Sequence, residues 1–318
     1  MNYRPLGQTR LQVSEIALGC WPIAGITSPG TNEADSLATI RSCFDLGINH
    51  LDTAYMYGRT GESERLIARA IGSRRNEMVI ATKCGLHWDA AGNQTHDARP
   101  ATLRQQCEES LRRLQTDCVD LLYLHAPDRD VPVAESASEL RRLLEEGKTR
   151  AVGASNLTLA QLEKFAAACP LAAYQPPYNM LVRDIESDVL PWCRQRGAAV
   201  LVYWPLMKGL LAGKIGRDQV FGPDDSRHKY AVFQGDQRQK NLDLVDRLRT
   251  IAEQSGHTVA ELVLNWTVTQ PGITSALCGA KRPEQIRECA GGSGWQLSSQ
   301  QRAAIDQALR ERAQADRP

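Results

Sequence analysis

Four polar side chains in the first half of this 318-residue chain have the types and spacing of a proton-transfer site. Asp52, Lys83 and His125 each end a short apolar or β-branched segment, and Tyr57 follows Asp52 by five residues. If those segments are successive parallel strands of a barrel, the four side chains point into one mouth. Taken singly, each has an ordinary explanation as a helix cap, a solvated strand end, a core histidine or a loop aromatic. Strand packing does not require three polar residues at one rim, so we interpret the set as functional.

These residue types predict acid–base chemistry centred on Tyr57. A tyrosine with a pKa of about 10 is a poor acid at neutral pH unless a neighbour stabilises its phenolate. The ammonium group of Lys83 would supply that charge, and Asp52 would keep the ammonium charged and oriented. His125 would hydrogen-bond the oxygen of a carbonyl group that is being reduced.

Strand-like segments alternate with helix-like segments along the chain, which predicts βαβ units that close into an α/β fold, the (β/α)8 TIM barrel. The predicted barrel strands are Ile16 to Cys20, Ile48 to Thr53, Met78 to Lys83, Val119 to His125, Arg150 to Ala154, Ala172 to Gln175, Ala199 to Tyr203 and Thr274 to Cys278. The predicted barrel helices are Glu33 to Leu46, Ser63 to Ile71, Pro100 to Leu114, Pro132 to Glu146, Leu159 to Ala168, Ile185 to Arg196, Val259 to Thr269 and Pro283 to Cys289. We also expect an N-terminal β-hairpin around Leu6 to Val13 and two extra helices, near Gln239 to Gln254 and Ser299 to Ala313. Residues 1–318 are expected to form a single domain.

The composition points to a small-molecule partner. Lys and Arg number 38 against 37 Asp and Glu, so no broad field would attract nucleic acid or an anionic membrane. The first residues lack the pattern of a targeting signal, and no apolar run approaches the roughly 18 residues of a membrane span, so we expect a cytoplasmic protein. Nine cysteines without a C-x-x-C pair predict mostly buried, reduced thiols and no metal site. The sequence specifies no oligomeric state.

Two long irregular segments, Gly85 to Arg99 and Leu206 to Gln237, directly follow predicted strands. They are therefore expected at the carboxyl-terminal face of the barrel, where barrel enzymes place their sites, and we interpret both as lids. Trp21 and Trp88 lie in loops above the same mouth. Each either lines a substrate pocket or anchors its own loop.

The chain resembles the aldo-keto reductases nearly from end to end. The segments that carry the resemblance are LGCW (18–21), HLDTAYMYGRTGESE (50–64), VIATKCG (79–85), SLRRLQTDCVDLLYLHAPD (110–128), AVGASN (151–156), YQPPYN (174–179), VYWPLMKGLLAGK (202–214) and GAKRPEQIRE (279–288). So many ordered matches are more specific than any one of them. The resemblance implies an enzyme that interconverts a carbonyl and an alcohol. The nicotinamide cofactor would bind without a Rossmann fingerprint, because no G-x-G-x-x-G occurs.

By this resemblance Tyr57 is the general acid, and Lys83 and Asp52 tune it. His125 would orient the substrate carbonyl for a hydride that arrives from the nicotinamide. All four residues of the family's catalytic set are present in the chain.

The resemblance also assigns a cofactor site. At the nicotinamide end it implies carboxamide contacts from Ser155, Asn156 and Gln175 and a stacking contact from Tyr203. The remaining cofactor-binding residues that it implies are Trp204, Pro205, Leu206, Lys214, Gly279, Ala280, Lys281, Arg282, Gln285 and Glu288. Lys281 and Arg282 open the last barrel helix, where barrels commonly hold phosphate, and they would suit a 2′-phosphate. We therefore expect NADPH in preference to NADH.

Three residues depart from the family's usual pattern. Ala126 follows the histidine where relatives often carry Trp, and the volume released must be filled by another side chain, by water or by substrate. We expect a polyhydroxylated, sugar-like substrate whose hydroxyl groups replace that water, with Trp88 as the nearby plug. Trp204 stands in place of a small residue. Cys289 stands where an Asn commonly follows Glu288, which calls an adenine hydrogen bond into question.

Two other functions stay open at this point. Lys83 could form a Schiff base in a lyase, although Asp52 would keep its amine charged and therefore poorly nucleophilic. The chain could also be a non-enzymatic regulatory subunit that binds the cofactor, which the intact catalytic set disfavours.

Overall fold

A closed barrel of eight parallel strands forms the centre of the protein in the computed structural model, which describes residues 1–26, 28–223 and 225–315. The N-terminal hairpin pairs β1 (Tyr3–Pro5) with β2 (Gln12–Ser14). The barrel strands, in order around the barrel, are β3 (Ile16–Gly19), β4 (His50–Asp52), β5 (Val79–Cys84), β8 (Leu121–Leu124), β9 (Val152–Ser155), β10 (Ala173–Gln175), β11 (Ala199–Tyr203) and β12 (Ser275–Gly279), which pairs with β3 again. The predicted (β/α)8 fold is confirmed. Thr27, Asp224 and the last three residues of the predicted domain lie outside the described residues.

The strands form because each is a short run that can be buried on both faces. Alanine, valine and leucine dominate them, as expected where helices cover the outside and side chains fill the inside. Tyr123 fills much of the interior, and a Cβ at Gly153 would lie only 2.4 Å from its ring. Leu6, in the turn of the N-terminal hairpin, is fully buried and belongs to the same interior cluster.

Helices alternate with the strands along the chain. They are α1 (Glu33–Asp45), α2 (Glu62–Ile71), α3 (Pro100–Leu114), α4 (Val133–Glu145), α5 (Leu159–Ala168), α6 (Val189–Arg196), α8 (Val259–Val268) and α9 (Pro283–Ala290). The two extra helices are confirmed as α7 (Gly235–Glu253) and α10 (Ser299–Gln314), which pack against each other. Capping boxes begin α5 at Thr158 and α8 at Thr258, so side chains satisfy the first free N–H groups. The helix predicted from Ile185 begins later, because Asp188 caps it at Val189.

Neither predicted lid segment is wholly irregular. The first contains a second hairpin, in which β6 (Leu86–Trp88) pairs with β7 (Gln94–His96). The second contains short 3-10 turns and the start of α7, and Asp224 within it lies outside the described residues. The strands of the hairpin are three residues long, too short for their alternation to stand out in the sequence.

Eight of the nine cysteines are buried and Cys118 is half-buried, in agreement with the prediction of buried thiols. Cys289 is 4% exposed and therefore faces the core. Within the described ranges, none of the helices is both long and apolar enough to cross a membrane.

Candidate active site

The barrel brings the four predicted catalytic residues to the carboxyl ends of three adjacent strands. Asp52 is the last residue of β4, Lys83 is the next-to-last residue of β5, and His125 directly follows β8. Tyr57 lies in the loop between β4 and α2, and its backbone N–H donates to the carbonyl of Ala54 at 2.9 Å. The four side chains therefore share one mouth.

Lys83 is the centre of the polar contacts. Its Nζ donates to Oδ1 of Asp52 at 2.5 Å and to the backbone carbonyl of Thr53 at 2.8 Å. The same Nζ lies 3.4 Å from the hydroxyl of Tyr57, a long distance for a hydrogen bond but a short one for a charge. Lys83 and Asp52 are 1% and 3% exposed, so water screens this pair very little.

The environment keeps both Tyr57 and Lys83 protonated. Burial lowers the pKa of Lys83, but attraction from Asp52 and Tyr57 outweighs it, and the pKa lies above the usual value. Burial raises the pKa of Tyr57, the charge of Lys83 opposes that effect, and the pKa still lies above the usual value of a tyrosine. From the sequence we expected Lys83 to make Tyr57 a stronger acid than free tyrosine. In the structure the effect of burial is the larger one, so the hydroxyl of Tyr57 stays protonated at neutral pH.

His125 lies beside Tyr57 as a neutral ring. The ring centroids are 5.9 Å apart. Burial, together with the charge of Lys83 and the neighbouring His96, lowers the pKa of His125 well below its usual value. Among the described residues its Nδ1 has no hydrogen-bond partner although the atom is buried. A neutral imidazole can donate only one N–H, and none of the described residues accepts from Nδ1 to fix which nitrogen carries it.

The four residues expected at the nicotinamide end form a hydrogen-bonded chain among themselves. Ser155 donates to the carbonyl of Gln175 at 2.7 Å, and the amide of Asn156 donates to the carbonyl of His125 at 2.9 Å. The hydroxyl of Tyr203 donates to Oδ1 of Asn156 at 2.8 Å, which holds the end of its side chain. A bound carboxamide group would have to share these hydrogen-bond partners or replace them.

Gln175 makes a contact that the sequence did not predict. Its Nε2 donates to Oδ2 of Asp52 at 2.7 Å, on the oxygen that Lys83 does not use. The residue is 2% exposed. At least one of its side-chain hydrogen bonds therefore holds the carboxylate of Asp52 in place.

The long segment after β11 begins with an aromatic cluster. Trp204 is 36% exposed and has a left-handed backbone, and buried Pro205 and half-buried Leu206 follow it. The ammonium group of Lys208 lies 4.4 Å from the ring centroid of Trp204 and 4.4 Å from that of Tyr230. The sequence pointed to neither Lys208 nor Tyr230, because this segment has no periodicity that would show which side chains meet.

Cations crowd around the start of α9. The ammonium group of Lys281 donates to the carbonyl of Pro29, and Nε of Arg282 lies 3.7 Å from the carboxylate of Asp35. Burial and the neighbouring charges of Arg282 and Arg227 lower the pKa of Lys281 below the usual value of a lysine. An anion placed here would relieve that repulsion, so the donor set fits the phosphate of a nucleotide cofactor.

The other residues expected at this end surround the same turn. Oε1 of Gln285 accepts from the backbone N–H of Lys281 at 2.9 Å, and Lys214 forms an ion pair with Glu288. That ion pair joins the long segment after β11 to α9. The exposed Gly279 ends β12, and the buried Ala280 follows it.

The predicted substrate-pocket residues meet in one small cluster. Trp21 packs edge-on against Tyr57 with 5.0 Å between ring centroids, and Trp88 and Ala126 belong to the same cluster. Nε1 of Trp88 donates to the carbonyl of Met56 at 2.8 Å, so Trp88 is an anchored strand residue, and its role as the plug beside Ala126 stays a prediction. Ala126 is only 5% exposed, which shows that neighbouring side chains fill much of the space beside it.

The comparisons with known proteins agree with this geometry. A model of the Aldo/keto reductase family matches residues 15–310. The chain belongs to this family. It is therefore an oxidoreductase of the aldo-keto reductase type, and the resemblance found in the sequence is confirmed.

Several relatives match over nearly the whole chain. The chain is 37% identical to the aldo-keto reductase YhdN of Bacillus subtilis (strain 168) over 313 residues, which cover 97% of this chain and 94% of that protein. It is 34% identical to the NADH-specific methylglyoxal reductase of Escherichia coli (strain K12) over 305 residues, which cover 91% of this chain and 92% of that protein. The solved structure of the glycerol dehydrogenase AKR11B4 from Gluconobacter oxydans superposes with a TM-score of 0.90 at 38% identity, over 98% of this chain and 95% of that one.

Proposed function

We propose that this aldo-keto reductase interconverts a small polyhydroxylated carbonyl compound and its alcohol, with Tyr57 as the general acid and base and NADPH as the preferred cofactor. The observation that carries the proposal is the position of Lys83. Its ammonium group lies between the carboxylate of Asp52 and the hydroxyl of Tyr57 at the open end of the barrel.

In the direction of reduction, the protein's part is to deliver one proton and to hold the carbonyl group. The reduced nicotinamide, when bound, supplies the hydride to the carbonyl carbon. Tyr57 donates its hydroxyl proton to the carbonyl oxygen, and the phenolate that remains is stabilised by Lys83. His125 donates its single imidazole N–H to the same oxygen, which fixes the carbonyl in the path of the hydride. In oxidation the Tyr57 phenolate takes the proton back.

The preference for NADPH rests on the cations at the start of α9. A 2′-phosphate carries more than one negative charge, and Lys281 and Arg282 are the donors best suited to it. The E. coli relative is named NADH-specific, so the cofactor preference is tested separately from the reaction.

The substrate class rests on the relatives and on the polarity of the mouth. One relative is named a glycerol dehydrogenase and another a methylglyoxal reductase, which are activities toward short oxygen-rich molecules. Tyr57 and His125 present hydrogen-bonding groups beside the small apolar patch of Trp21 and Trp88. A short polyol or hydroxyaldehyde can use both.

Neither alternative function fits the contacts as well. A Schiff-base lyase needs a neutral lysine amine, but Asp52 at 2.5 Å keeps Lys83 charged. A purely regulatory subunit needs no acid–base machinery, yet here Asp52, Tyr57, Lys83 and His125 are assembled in one mouth.

The test is a matrix of substrates and cofactors with a matched inactive variant. Glyceraldehyde, methylglyoxal and benzaldehyde are reduced with NADPH and with NADH, and glycerol is oxidised with both oxidised cofactors, by wild type and by Tyr57→Phe. We expect turnover of the oxygen-rich substrates and a loss of at least about a hundredfold in kcat in the variant, with cofactor affinity little changed. Near-normal turnover by Tyr57→Phe would refute the assignment. Trapping of substrate on Lys83 by borohydride would favour the lyase.

A further inference from the structure

The loop that carries Tyr57 is held on one side through the nearby Tyr55, and on the other by Trp88, which donates to the carbonyls of Met56 and Gly58. The backbone N–H of Tyr55 donates to the carbonyl of Lys83 at 3.0 Å, and its own carbonyl accepts from Nη1 of Arg113 at 3.2 Å. Its hydroxyl donates to Glu109 at 2.7 Å. The guanidinium of Arg113 also lies 4.3 Å from the centroid of the Tyr55 ring. Tyr55 is therefore held at its backbone, its ring and its hydroxyl.

Arg113 joins this loop to the strand that carries Lys83. Its Nη1 lies 3.2 Å from Oε2 of Glu64, a carboxylate that is completely buried. The other oxygen of Glu64 accepts from the hydroxyl of Thr82 at 2.7 Å, and Thr82 directly precedes Lys83 on β5. One guanidinium on α3 thus touches the tyrosine loop directly and reaches β5 through a single buried carboxylate.

The backbone passes close over the same arginine. Gly61, at the end of the loop, has a left-handed φ of 86°, and a Cβ there would lie 2.5 Å from the side chain of Arg113. Only glycine allows both the backbone conformation and this approach. The close contact leaves little room for the loop to move toward α3.

The hydroxyl of Tyr57 depends on this support. Its hydrogen-bonding contact within the described chain is the one with Lys83 at 3.4 Å, and its ring otherwise meets the aromatic rings of Trp21 and His125. Contacts between aromatic rings let one ring slide along another. A displacement of about 1 Å in a catalytic group can cost roughly a hundredfold in rate. The distance between Tyr57 and Lys83 therefore depends on how the backbone of the loop is held, and not on the hydroxyl contact alone.

We propose that Arg113 is a positioning residue for proton transfer, which sets the distance between Tyr57 and Lys83 by joining the tyrosine loop to β5 through Tyr55 and Glu64. The proposal rests on the proposed role of Tyr57 as the general acid. The contacts of Arg113 in the structure are with Tyr55, Glu64 and Glu109 and not with the residues expected to bind the cofactor, so we expect its effect on the rate of the reaction and not on cofactor binding.

The test uses a double variant, because removing Arg113 alone would leave the buried charge of Glu64 without its cationic partner and would destabilise the fold. In Arg113→Met with Glu64→Gln, the new amide can still accept from Thr82. The matched control is Arg104→Met with Glu139→Gln, which removes a similar ion pair of another α3 arginine, since Nε of Arg104 contacts the buried carboxylate of Glu139 at 2.7 Å. That pair joins α3 to α4 and does not touch the tyrosine loop.

We expect the Arg113 double variant to lose at least about tenfold in the single-turnover rate of carbonyl reduction, while its Kd for NADPH stays within about twofold. The control should keep its rate within about twofold even where it loses comparable stability. Arg113→Lys, which keeps a cation at the same place, should recover part of the rate. A wild-type rate in the Arg113 double variant, or equal losses in both double variants, would overturn the proposal. If instead Tyr57→Phe retains activity, the proposed function itself has failed.

Discussion

The side-chain amide of Gln175 donates to Oδ2 of Asp52 at 2.7 Å, while Lys83 occupies the other oxygen of that carboxylate. Gln175 ends β10, and Asp52 ends β4, which lies far from β10 around the barrel. The buried carboxylate is therefore fixed across the interior of the barrel as well as along its rim. A charge this deep needs both donors, because an unsatisfied buried carboxylate is costly.

Replacing Gln175 by Met keeps the length of the side chain and removes the donor. We expect a loss of about 1–3 kcal/mol in the free energy of unfolding, the range for a hydrogen bond to a buried charged group, together with a lower kcat. Urea unfolding and single-turnover kinetics measure the two effects. Gln106→Met is the control, since that buried glutamine accepts from the neutral N–H of Gly85 at 2.7 Å and should cost less. An equal loss of stability in both variants would mean that the contact with Asp52 contributes no more than the hydrogen bond of Gln106 to a neutral group.

The pKa shifts predict a specific dependence of activity on pH. Because burial raises the pKa of Tyr57 above that of free tyrosine, its hydroxyl stays protonated through neutral and mildly alkaline pH. Reduction should therefore show a flat kcat from about pH 6 to 9 and fall only above the usual tyrosine value of about 10, and oxidation should rise over the same alkaline range. His125 should cause no change in kcat near pH 6.5, because its pKa lies well below that value.

The variant that checks this assignment is Lys83→Met. Without the ammonium charge the pKa of Tyr57 should rise further, so the alkaline limb should move upward while kcat for reduction falls. If kcat of the wild type changed with pH near 6.5, and this change were absent in His125→Asn, the histidine would not be neutral as proposed.

Cofactor preference is expected to depend on Lys281 and Arg282. Replacing both by Ala removes the two cations best placed for a 2′-phosphate, each worth about 1.5–3 kcal/mol if it hydrogen-bonds the phosphate. We expect the Kd for NADPH to rise by roughly a hundredfold or more, and the Kd for NADH to change by less than about threefold. Titration of protein fluorescence measures both constants. Arg287→Ala, an exposed position on the same helix, is the control. Equal losses for the two cofactors would show that the pair binds some other group.

Local sequence patterns predicted the barrel and placed Asp52, Lys83 and His125 at or near strand ends, but they could not show contacts between residues that are distant in sequence. Lys83 and His125 could be placed because strand period and strand ends are properties of short segments. The contact of Gln175 with Asp52 spans 123 residues of sequence, and no local pattern records it. Likewise Lys208 and Tyr230 meet only because the segment after β11 folds back over Trp204.

The expected substrate pocket shows the same limit. The sequence showed that Ala126 stands where an indole is common, but it could not show what fills the space. In the structure the side chains of Met56 and Leu86 pack beside Ala126, and Trp88 is fixed by hydrogen bonds to the carbonyls of Met56 and Gly58 at 2.8 and 3.1 Å. The pocket is therefore shaped by an anchored tryptophan, and its size depends on that residue staying in place.

Ala126→Trp tests how closely substrate turnover depends on this packing. An added indole cannot fit beside Met56 and Leu86 without moving Trp88 or the ring of Tyr57, and such overpacking costs about 1–3 kcal/mol. We expect kcat/KM for glyceraldehyde to fall at least about tenfold, because a shift of either ring disturbs the bound hydroxyaldehyde or the proton donor. Ala126→Ser, which adds one small polar atom, should stay within about threefold of wild type. The comparison is kcat/KM for a series of hydroxyaldehydes against benzaldehyde in all three proteins. A wild type that prefers benzaldehyde would contradict the proposed substrate class. Unchanged glyceraldehyde turnover in Ala126→Trp would mean that substrate binds away from this cluster.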